Sequence, residues 1–486
     1  MSDWSARFAC TRSTAPRGLF VLLLAAAVAA AVAACSTGDP AMPANLATLE
    51  GSPTYHRDVA PILERRCIKC HHEGGIGPFA LTDYEQARAM APVITVETGA
   101  RRMPPWGAHD THECVPPLPW REDERMSDEE IMTLRRWDLG GAPEGDSKDS
   151  PPADLVSTQS LELDATAIDI APRAAYLPTS SSLDEFRCFV FDAPEIESGA
   201  HISAIHVVPG NRRIVHHVTV FTDRSGALAK RAGPDGSFDC PPGSLDRALP
   251  GEEVAPQNAT ILAWAPGGKP LRLPDGVAIE IAPKSKIVME VHYSTGARSI
   301  EPDLTRLQFS LAATKPKYLV GVWGVGNFGS PLENGDGLQP GENDRDGVVE
   351  FRIPAQAESH AETMVATFTH GGALPLFGLR PHAHLAGVEI KVDVLRNGAT
   401  QCMLQDSWDF HWQRIYTYEA APEHLPMLYP GDRVRIRCSY NNTMMNRRLA
   451  QELRERGLRP MDIFGGPDTL SEMCLADLLL LVKTPE

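Results

Sequence analysis

Residues 430–438 read Pro-Gly-Asp-Arg-Val-Arg-Ile-Arg-Cys and carry the clearest fold signal in the chain. A Pro-Gly-Asp turn comes first, and basic and apolar side chains then alternate from Arg433 to Cys438. Successive side chains of a strand point to opposite faces, so this period of two indicates a strand with one buried face. Residues 388–395 alternate in the same way and lead into the hairpin signal Asn397-Gly398.

Strand signals continue from about residue 161 to the C-terminus. Long helical patterns are scarce throughout this region. Residues 277–281 follow a Pro-Asp-Gly turn, and residues 287–293 form the next strand pattern. The region holds about 325 residues, which suits two hydrophobic cores better than one. We therefore predict two antiparallel, jelly-roll-like β-sandwich domains, at 161–316 and 317–486.

Residues 51–146 show helical signals instead. Ser127-Asp-Glu-Glu130 is a capping-box pattern in front of an apolar series at helical spacing, and a Gly-Gly pair follows at 140–141. The polar stretch 147–160 is typical of a linker. The prediction is a small, mainly α-helical domain that a linker joins to the β region.

Length, composition and charge are those of a multidomain globular protein. The 486 residues are too many for one core and indicate about three folded units. The 43% hydrophobic and 22% charged residues are ordinary, and 41 prolines and 39 glycines suit turn-rich β-structure. The formal net charge of −17 argues against nucleic acid as a partner, because phosphates would repel such a surface.

The N-terminus has the layout of an export signal. A basic segment with arginines precedes the uncharged apolar stretch 18–34, which leads directly into Cys35. The small residues Val-Ala-Ala in front of this cysteine resemble a bacterial lipobox, in which the cysteine is lipidated. The alternatives are an ordinary signal peptide and a short membrane anchor, but the stretch is short for a membrane-spanning helix.

We therefore predict a lipoprotein signal peptide at 1–35, lipidation of Cys35 and a polar tether at 36–50. The protein would be exported to a bacterial cell envelope and would meet the membrane through its lipid anchor alone. Ser36, rather than an aspartate, follows the cysteine, which favours the outer membrane and a position facing the periplasm.

The chain has ten cysteines, and four of them have other predicted fates. Cys10 would leave with the signal peptide, Cys35 would carry lipid, and Cys67 and Cys70 belong to a separate motif. An even remainder in an exported protein predicts three disulfides. These six are Cys114, Cys188, Cys240, Cys402, Cys438 and Cys474.

The separate motif is Cys67-Ile-Lys-Cys70-His71, the C-x-x-C-H pattern of covalent haem attachment. Each thiol can add to one haem vinyl group, and His71 would be the proximal iron ligand. The alternatives are a zinc site, which would need two more ligands at similar spacing, and a redox C-x-x-C pair. Export, the following histidine and the helical context favour one covalently bound haem c, and hence a cytochrome c-like domain at 51–146.

A methionine is predicted as the sixth haem ligand. Met103 lies in the proline-stiffened stretch 101–106 downstream of the haem motif, and Met90 and Met126 are its rivals. A thioether ligand would raise the reduction potential and suit electron transfer. His72 is interpreted as a surface residue.

Four short motifs of the β region contain residues that could bind copper. His382 and His384 are two apart on a predicted strand and would face the same side. The adjacent His216 and His217 could bind one ion only where the strand is bulged or frayed. Taken singly, each motif is more often structural than a ligand set. The other two are Val-His292-Tyr and Glu-Met473-Cys, and His201, His206, His370 and His411 are interpreted as structural histidines.

The combination and order of these motifs resemble the copper type II, ascorbate-dependent monooxygenases, the family of dopamine β-hydroxylase and peptidylglycine α-hydroxylating monooxygenase. The resemblance covers about residues 165–486 and includes the flanking Leu262-Ala-Trp264 and Cys438-Ser-Tyr segments. It implies two copper ions. One would be bound by His216, His217 and His292, and the other by the catalytic His382, His384 and Met473.

The resemblance also implies a Cys438–Cys474 disulfide, whereas the other four cysteines stay unassigned. The implied reaction is hydroxylation of an activated C–H of a small organic substrate with dioxygen. An ascorbate-like reductant or a redox protein would supply electrons, and the attached haem would relay them. Leu475 occupies the position where the peptide-amidating branch has a substrate-binding Asn, so peptide or catecholamine substrates are not implied.

Two other functions are compatible with these motifs. The first is a non-catalytic copper- and haem-containing electron-transfer or copper-binding lipoprotein, which would need one working copper site at most. The second is a surface-attached binding or assembly protein in which the metal-binding residues are incidental. The presence of two different ligand sets favours the enzyme.

Overall fold

A computed structural model describes residues 52–73, 77–150, 163, 166–178, 184–191, 196, 198–240, 259–264, 268–294, 301–344, 346–466 and 470–484. The predicted signal peptide with Cys35, the tether and positions 151–160 of the linker lie outside these residues. Among the helices of the described part, none is both long and apolar enough to cross a membrane.

The described residues between 52 and 150 form the helical part of the molecule. Its last helix begins at the predicted capping box. The Ser127 hydroxyl accepts from the backbone N–H of Glu130, and the Glu130 carboxylate accepts from the backbone N–H of Ser127. Leu134 and Trp137 of this helix are buried in the helical core. A π-helical turn (Tyr55–Val59) precedes α1 (Ala60–Arg66), α2 (Tyr84–Gly99) and α3 (Asp128–Leu139), and α4 (Arg447–Glu455) lies near the C-terminus.

The rest of the described chain is mostly β-structure, as predicted. The strands of its first half are β1 (Ile168–Ile170), β2 (Asp184–Phe191), β3 (Ala200–Val208), β4 (Val215–Asp223), β5 (Ser237–Asp239), β6 (Ala259–Trp264), β7 (Leu271–Arg272), β8 (Val277–Ile281), β9 (Lys286–Ser294) and β10 (Arg306–Leu311). The strands of its second half are β11 (Tyr318–Gly326), β12 (Gly337–Leu338), β13 (Arg352–Ile353), β14 (His360–Thr367), β15 (Leu374–His382), β16 (Gly387–Arg396), β17 (Ala399–Asp406), β18 (Tyr416–Thr417), β19 (Met427–Leu428), β20 (Arg433–Tyr440), β21 (Ile463–Phe464) and β22 (Leu475–Lys483). Short 3₁₀ helices span Ser147–Asp149, Ala229–Arg231 and Pro422–His424.

The strands form two β-sandwiches that share one long sheet. The long sheet has the order β1-β10-β3-β8-β11-β22-β15-β18, with β7 and β19 paired at its sides. Its first half packs on the N-terminal sheet, β5-β2-β9-β4-β6, and its second half packs on the C-terminal sheet, β12-β14-β20-β16-β17. The halves are joined where Tyr318 of β11 pairs in parallel with Val277 of β8.

Strand β20 confirms the alternation that the sequence shows there. Its arginines are half-buried or more exposed, and the hairpin residues Asn397 and Gly398 both have positive φ, 50° and 80°. Backbone of this left-handed kind is what a tight two-residue hairpin requires. The side chains of β20 that point into the core are Val434, Ile436, Cys438 and Tyr440.

Strand β16 departs from the expected alternation, because two of its charged residues are buried. Lys391 donates to the carbonyl oxygen of Glu113 at 3.0 Å, and Asp393 accepts from Arg435 at 2.6 Å. The segment 106–124 of the helical part lies over this face of the C-terminal sheet and shields it from water. A Cys114–Cys402 disulfide fastens the segment to β17.

Candidate metal centres

The first cluster lies on two neighbouring strands of the N-terminal sheet. His216 and His217 belong to β4, and His292 belongs to β9. The pairing register shifts so that His217 faces His292 and Val215 faces Tyr293, which leaves His216 as the extra residue of a bulge. Such a bulge lets two adjacent side chains turn toward the same point.

The three imidazoles of this cluster converge on one point. The Nδ1 atom of His292 lies 3.1 Å from Nδ1 of His216 and 3.2 Å from Nδ1 of His217. The buried Nε2 atom of His216 has no hydrogen-bond partner in the described structure. Burial, and then the neighbouring imidazoles, lower the pKa of His216 and His217 well below the usual value, so neutral rings present their lone pairs. Three neutral imidazoles fit copper in both of its oxidation states.

The second cluster lies at the edge of the C-terminal sandwich. The ring centroids of His382 and His384 are 5.3 Å apart and nearly perpendicular. His382 ends β15, whereas His384 lies in the loop beyond it, so the prediction that both stand on a strand is wrong. The His382 Nδ1–H donates to Gln413 Oε1 at 2.9 Å, and the His384 Nδ1–H donates to the Ser471 carbonyl at 2.8 Å. Both contacts use Nδ1, so Nε2 is the atom with which each ring would bind a metal. Burial, and then His384, lower the pKa of His382 to about 3.

Met473 is tied to the same edge through its backbone. The buried Glu472 carboxylate accepts from the backbone N–H of His384 at 2.7 Å and from that of Met473 at 3.1 Å. The Tyr440 hydroxyl donates to the Met473 carbonyl at 2.7 Å, and the next residue, Cys474, forms a disulfide with Cys438. Two imidazoles, with a methionine whose backbone is held at the same edge, make a donor set that fits Cu(I).

An aromatic residue lies between the two clusters. The Phe410 ring centroid is 6.0 Å from that of His217 and 5.9 Å from that of His384. The ring centroids of His217 and His384 are therefore separated by no more than the sum of these two distances. The loop that carries Phe410 connects β17 to β18, and it also carries Gln413, the partner of His382.

The same loop brings a fourth imidazole to the first cluster. The ring centroid of His411 lies 4.6 Å from that of His216, edge to face. The backbone N–H of His411 donates to Asp409, and Asp409 accepts from Arg448 of α4 at 2.7 Å. The interpretation of His411 as a structural histidine missed this position. The available signal was the run Trp-Asp-Phe-His-Trp at 408–412, which has no strand pattern.

The haem motif forms one tight turn after α1. The backbone N–H groups of Cys70 and His71 donate to the Cys67 carbonyl, and both cysteines are free thiols. The His71 Nδ1–H donates to the Phe79 carbonyl at 3.1 Å, which leaves Nε2 for a metal ion. Two free thiols and an oriented imidazole fit a covalently attached haem.

The predicted sixth ligand, Met103, lies in the loop after α2. Met103 and Met126 line a cavity of about 570 Å³, and none of Cys67, Cys70 and His71 is among the described residues of its wall. Met126 is also buried in the helical core, against which the other rival, Met90, packs. The identity of a sixth ligand stays a prediction.

Two family profiles match the β region. The profile "Copper type II ascorbate-dependent monooxygenase, N-terminal domain" matches residues 169–299, and that of the C-terminal domain matches residues 350–479. Each matched range contains one complete histidine cluster.

Curated relatives carry related names. DBH-like monooxygenase protein 1 of Gallus gallus is 24% identical over 368 residues, which cover 72% of this chain and 53% of the relative. DBH-like monooxygenase protein 1 of Homo sapiens is 26% identical, with 62% and 45% covered. Tyramine beta-hydroxylase of Caenorhabditis briggsae is 22% identical, with 67% and 50% covered. The chain thus spans about half the length of the curated relatives it matches. Because the two profiles together cover more than half of the chain, the protein belongs to the copper type II, ascorbate-dependent monooxygenase family.

Proposed function

We propose that the protein is a copper-dependent monooxygenase that hydroxylates an activated C–H of a small organic substrate with dioxygen. One observation carries this proposal: histidines of both clusters lie close to the same aromatic ring, Phe410. A copper carrier needs one donor set, whereas a monooxygenase needs two electrons, which two copper centres can supply one each. Copper at His382, His384 and Met473 would supply dioxygen activation, and copper at the three-histidine cluster would supply the second electron.

The chain's own residues fix the geometry of the two clusters. Gln413 and the Ser471 carbonyl orient the rings of His382 and His384, as partners of ligand imidazoles commonly do. Glu472 holds the loop after His382 and the backbone of Met473 in one arrangement through its N–H contacts. Phe410 fills space between the clusters with an apolar ring.

The substrate class is proposed no more narrowly than a small organic molecule. Leu475 pairs with His382 in the long sheet and gives that position an apolar side chain. It cannot donate or accept the side-chain hydrogen bonds of an Asn. The tyramine beta-hydroxylase relative supports a hydroxylase of small molecules without identifying the substrate.

We further propose that a c-type haem on Cys67 and Cys70, with His71 as a ligand, supplies electrons to the copper centres. The support is a series of contacts that leads from the motif to the C-terminal sandwich. Lys69 lies between the two cysteines and forms an ion pair with Glu124, which also accepts from Arg414 at 3.2 Å. Arg414 adjoins Gln413, the partner of His382.

The proposed location is the bacterial cell envelope, where a lipid on Cys35 would hold the protein at the outer membrane on its periplasmic side. The support is the lipobox-like sequence in front of Cys35. An ascorbate-like reductant or a redox protein would reduce the haem or the coppers.

The deciding experiment compares Met473→Ala with Met445→Ala, a matched variant at a position that is 81% exposed. The wild-type chain should bind two coppers and consume oxygen with reductant and substrate. Met473→Ala should lose turnover while keeping its haem content, and Met445→Ala should keep both. Metal analysis, haem absorbance and oxygen uptake measure these properties. Normal turnover by Met473→Ala would refute the role given to Met473. A wild-type chain that binds one copper and consumes no oxygen would refute the oxygenase and favour the copper-binding lipoprotein.

A further inference from the structure

A small polar cavity lies where the helical part meets both sandwiches. Its volume is about 90 Å³, enough for a few water molecules or one small polar group. Trp106 and Glu124 of the helical part line it, together with Lys269 beside β7 and Arg414 beside β18. It is distinct from both histidine clusters, although Gln413 reaches its wall.

Positive charge is in excess around this cavity. Glu124 is 3% exposed and contacts Lys269 at 3.3 Å, Arg414 at 3.2 Å and Lys69. Burial alone would raise the pKa of Glu124, but these cations lower it to about 2. Among the described residues of the wall, the other carboxylate is Glu122, and Arg121, Lys269 and Arg414 are cations that face these two carboxylates.

Three buried N–H donors of the wall have no hydrogen-bond partner in the described structure. They are Trp106 Nε1, Arg121 Nε and Arg414 Nε. All three are donors that cannot accept, so they do not satisfy one another. Buried donors next to positive charge are stabilised by an anion with several acceptor oxygens.

We propose that this cavity binds a carboxylate group. Two sources share that chemistry: a propionate of the haem proposed on Cys67 and Cys70, or a free small carboxylic acid. The first source rests on the proposed function. Lys69 stands between the two motif cysteines and its ammonium group lies at Glu124, so the haem motif is close to this cavity.

The test uses the full chain in two forms, one carrying haem and one produced without haem attachment. Each is titrated with sodium propionate by calorimetry, and the haem reduction potential is measured by spectroelectrochemistry. The test variant is Arg121→Gln, and Arg121→Lys keeps the charge. Arg224→Gln is a matched control, because Arg224 directly follows β4 and pairs with Glu280. Circular dichroism establishes that each variant is folded.

If a haem propionate is the ligand, the haem-free chain binds propionate at least tenfold more tightly than the haem-loaded chain. Arg121→Gln then weakens that binding tenfold or more and lowers the haem potential, whereas Arg121→Lys and Arg224→Gln change both less. If both forms bind propionate equally, and Arg121→Gln weakens this binding without changing the haem potential, the free acid is supported as the source. No binding by either form, with a potential that Arg121→Gln leaves unchanged, overturns the proposal. Neither readout needs copper or oxygen, so a negative result leaves the oxygenase proposal untouched.

Discussion

His216 is the one residue that the bulge of β4 adds between Val215 and His217. In a regular strand, adjacent side chains alternate between faces, and His216 would point away from His217. The bulge removes this conflict and places Nδ1 of His216 within 3.1 Å of Nδ1 of His292. The first metal centre therefore depends on a local irregularity of one residue.

His411 packs beside the first histidine cluster and should help to position it. We expect His411→Ala to weaken copper binding at the three-histidine cluster by about 10- to 100-fold, the usual effect of removing a group that positions a metal ligand. Its ring packs against that of His216 and comes from the other sandwich. Competition with a copper chelator, followed by EPR of the remaining Cu(II), measures the affinity.

His370→Ala is the matched control, because this exposed imidazole contacts the backbone of Gly372 and lies in neither cluster. It should bind both coppers normally. Wild-type copper affinity in His411→Ala would contradict the role of His411.

The segment 106–124 is the element that joins the helical part to the C-terminal sandwich. Ala108 forms a bridge with Asp406, Trp120 forms one with Tyr418, and the Cys114–Cys402 disulfide lies between them. The rings of Trp120 and Tyr418 stack at 4.7 Å. Within the same segment, the Glu113 carbonyl accepts from the buried Lys391.

Removing this disulfide should destabilise the protein and loosen the segment. The bond closes a separation of 288 residues, so Cys114→Ala/Cys402→Ala should lower the free energy of unfolding by about 2–5 kcal/mol. Hydrogen exchange of residues 106–120 should also become faster, because fewer contacts oppose local opening. Denaturant unfolding and exchange mass spectrometry provide the two measurements.

Cys188→Ala/Cys240→Ala is the matched control, because this disulfide lies within the N-terminal sandwich. It should destabilise the chain without changing exchange at 106–120. Unchanged exchange in the Cys114/Cys402 variant would show that the backbone bridges alone hold the segment.

At the scale of the whole molecule, Glu124 connects the three units through Lys69, Lys269 and Arg414. Its pKa of about 2 lies below the usual 4.5, so the ionised form is favoured by folding. The resulting stabilisation is fully present above about pH 4.5 and is lost as the pH falls toward 2. Its size is about 3 kcal/mol at neutral pH.

We therefore expect Glu124→Gln to be less stable than the wild type by about 3 kcal/mol at pH 7, with a difference that shrinks between pH 4.5 and 3. Urea unfolding at pH 7, 5, 4 and 3 measures the difference. Glu97→Gln, which removes a surface ion pair with Arg102, should show little difference at any of these pH values. A Glu124→Gln difference that stays constant down to pH 3 would contradict the assigned role.

The amino-acid sequence alone determined the structural features that depend only on residues close together in the chain. The alternation of β20, the Asn397-Gly398 hairpin and the Ser127 capping box are confirmed, because each is a short-range pattern with one stable local geometry. The six-cysteine remainder likewise predicted three disulfides, and the described part of the chain contains three. The order of the copper-binding motifs led to the correct family.

The tertiary structure decided everything that depends on contacts between distant parts of the chain. The burial of Lys391, the approach of His411 to His216 and the meeting of Glu124 with Arg414 join residues from different units. Local patterns contain no information about such pairs, because packing between units sets which faces meet. The long sheet shared by both sandwiches also depends on such a contact, the parallel pairing of β8 with β11. The sequence of each strand predicts a strand but not its partner.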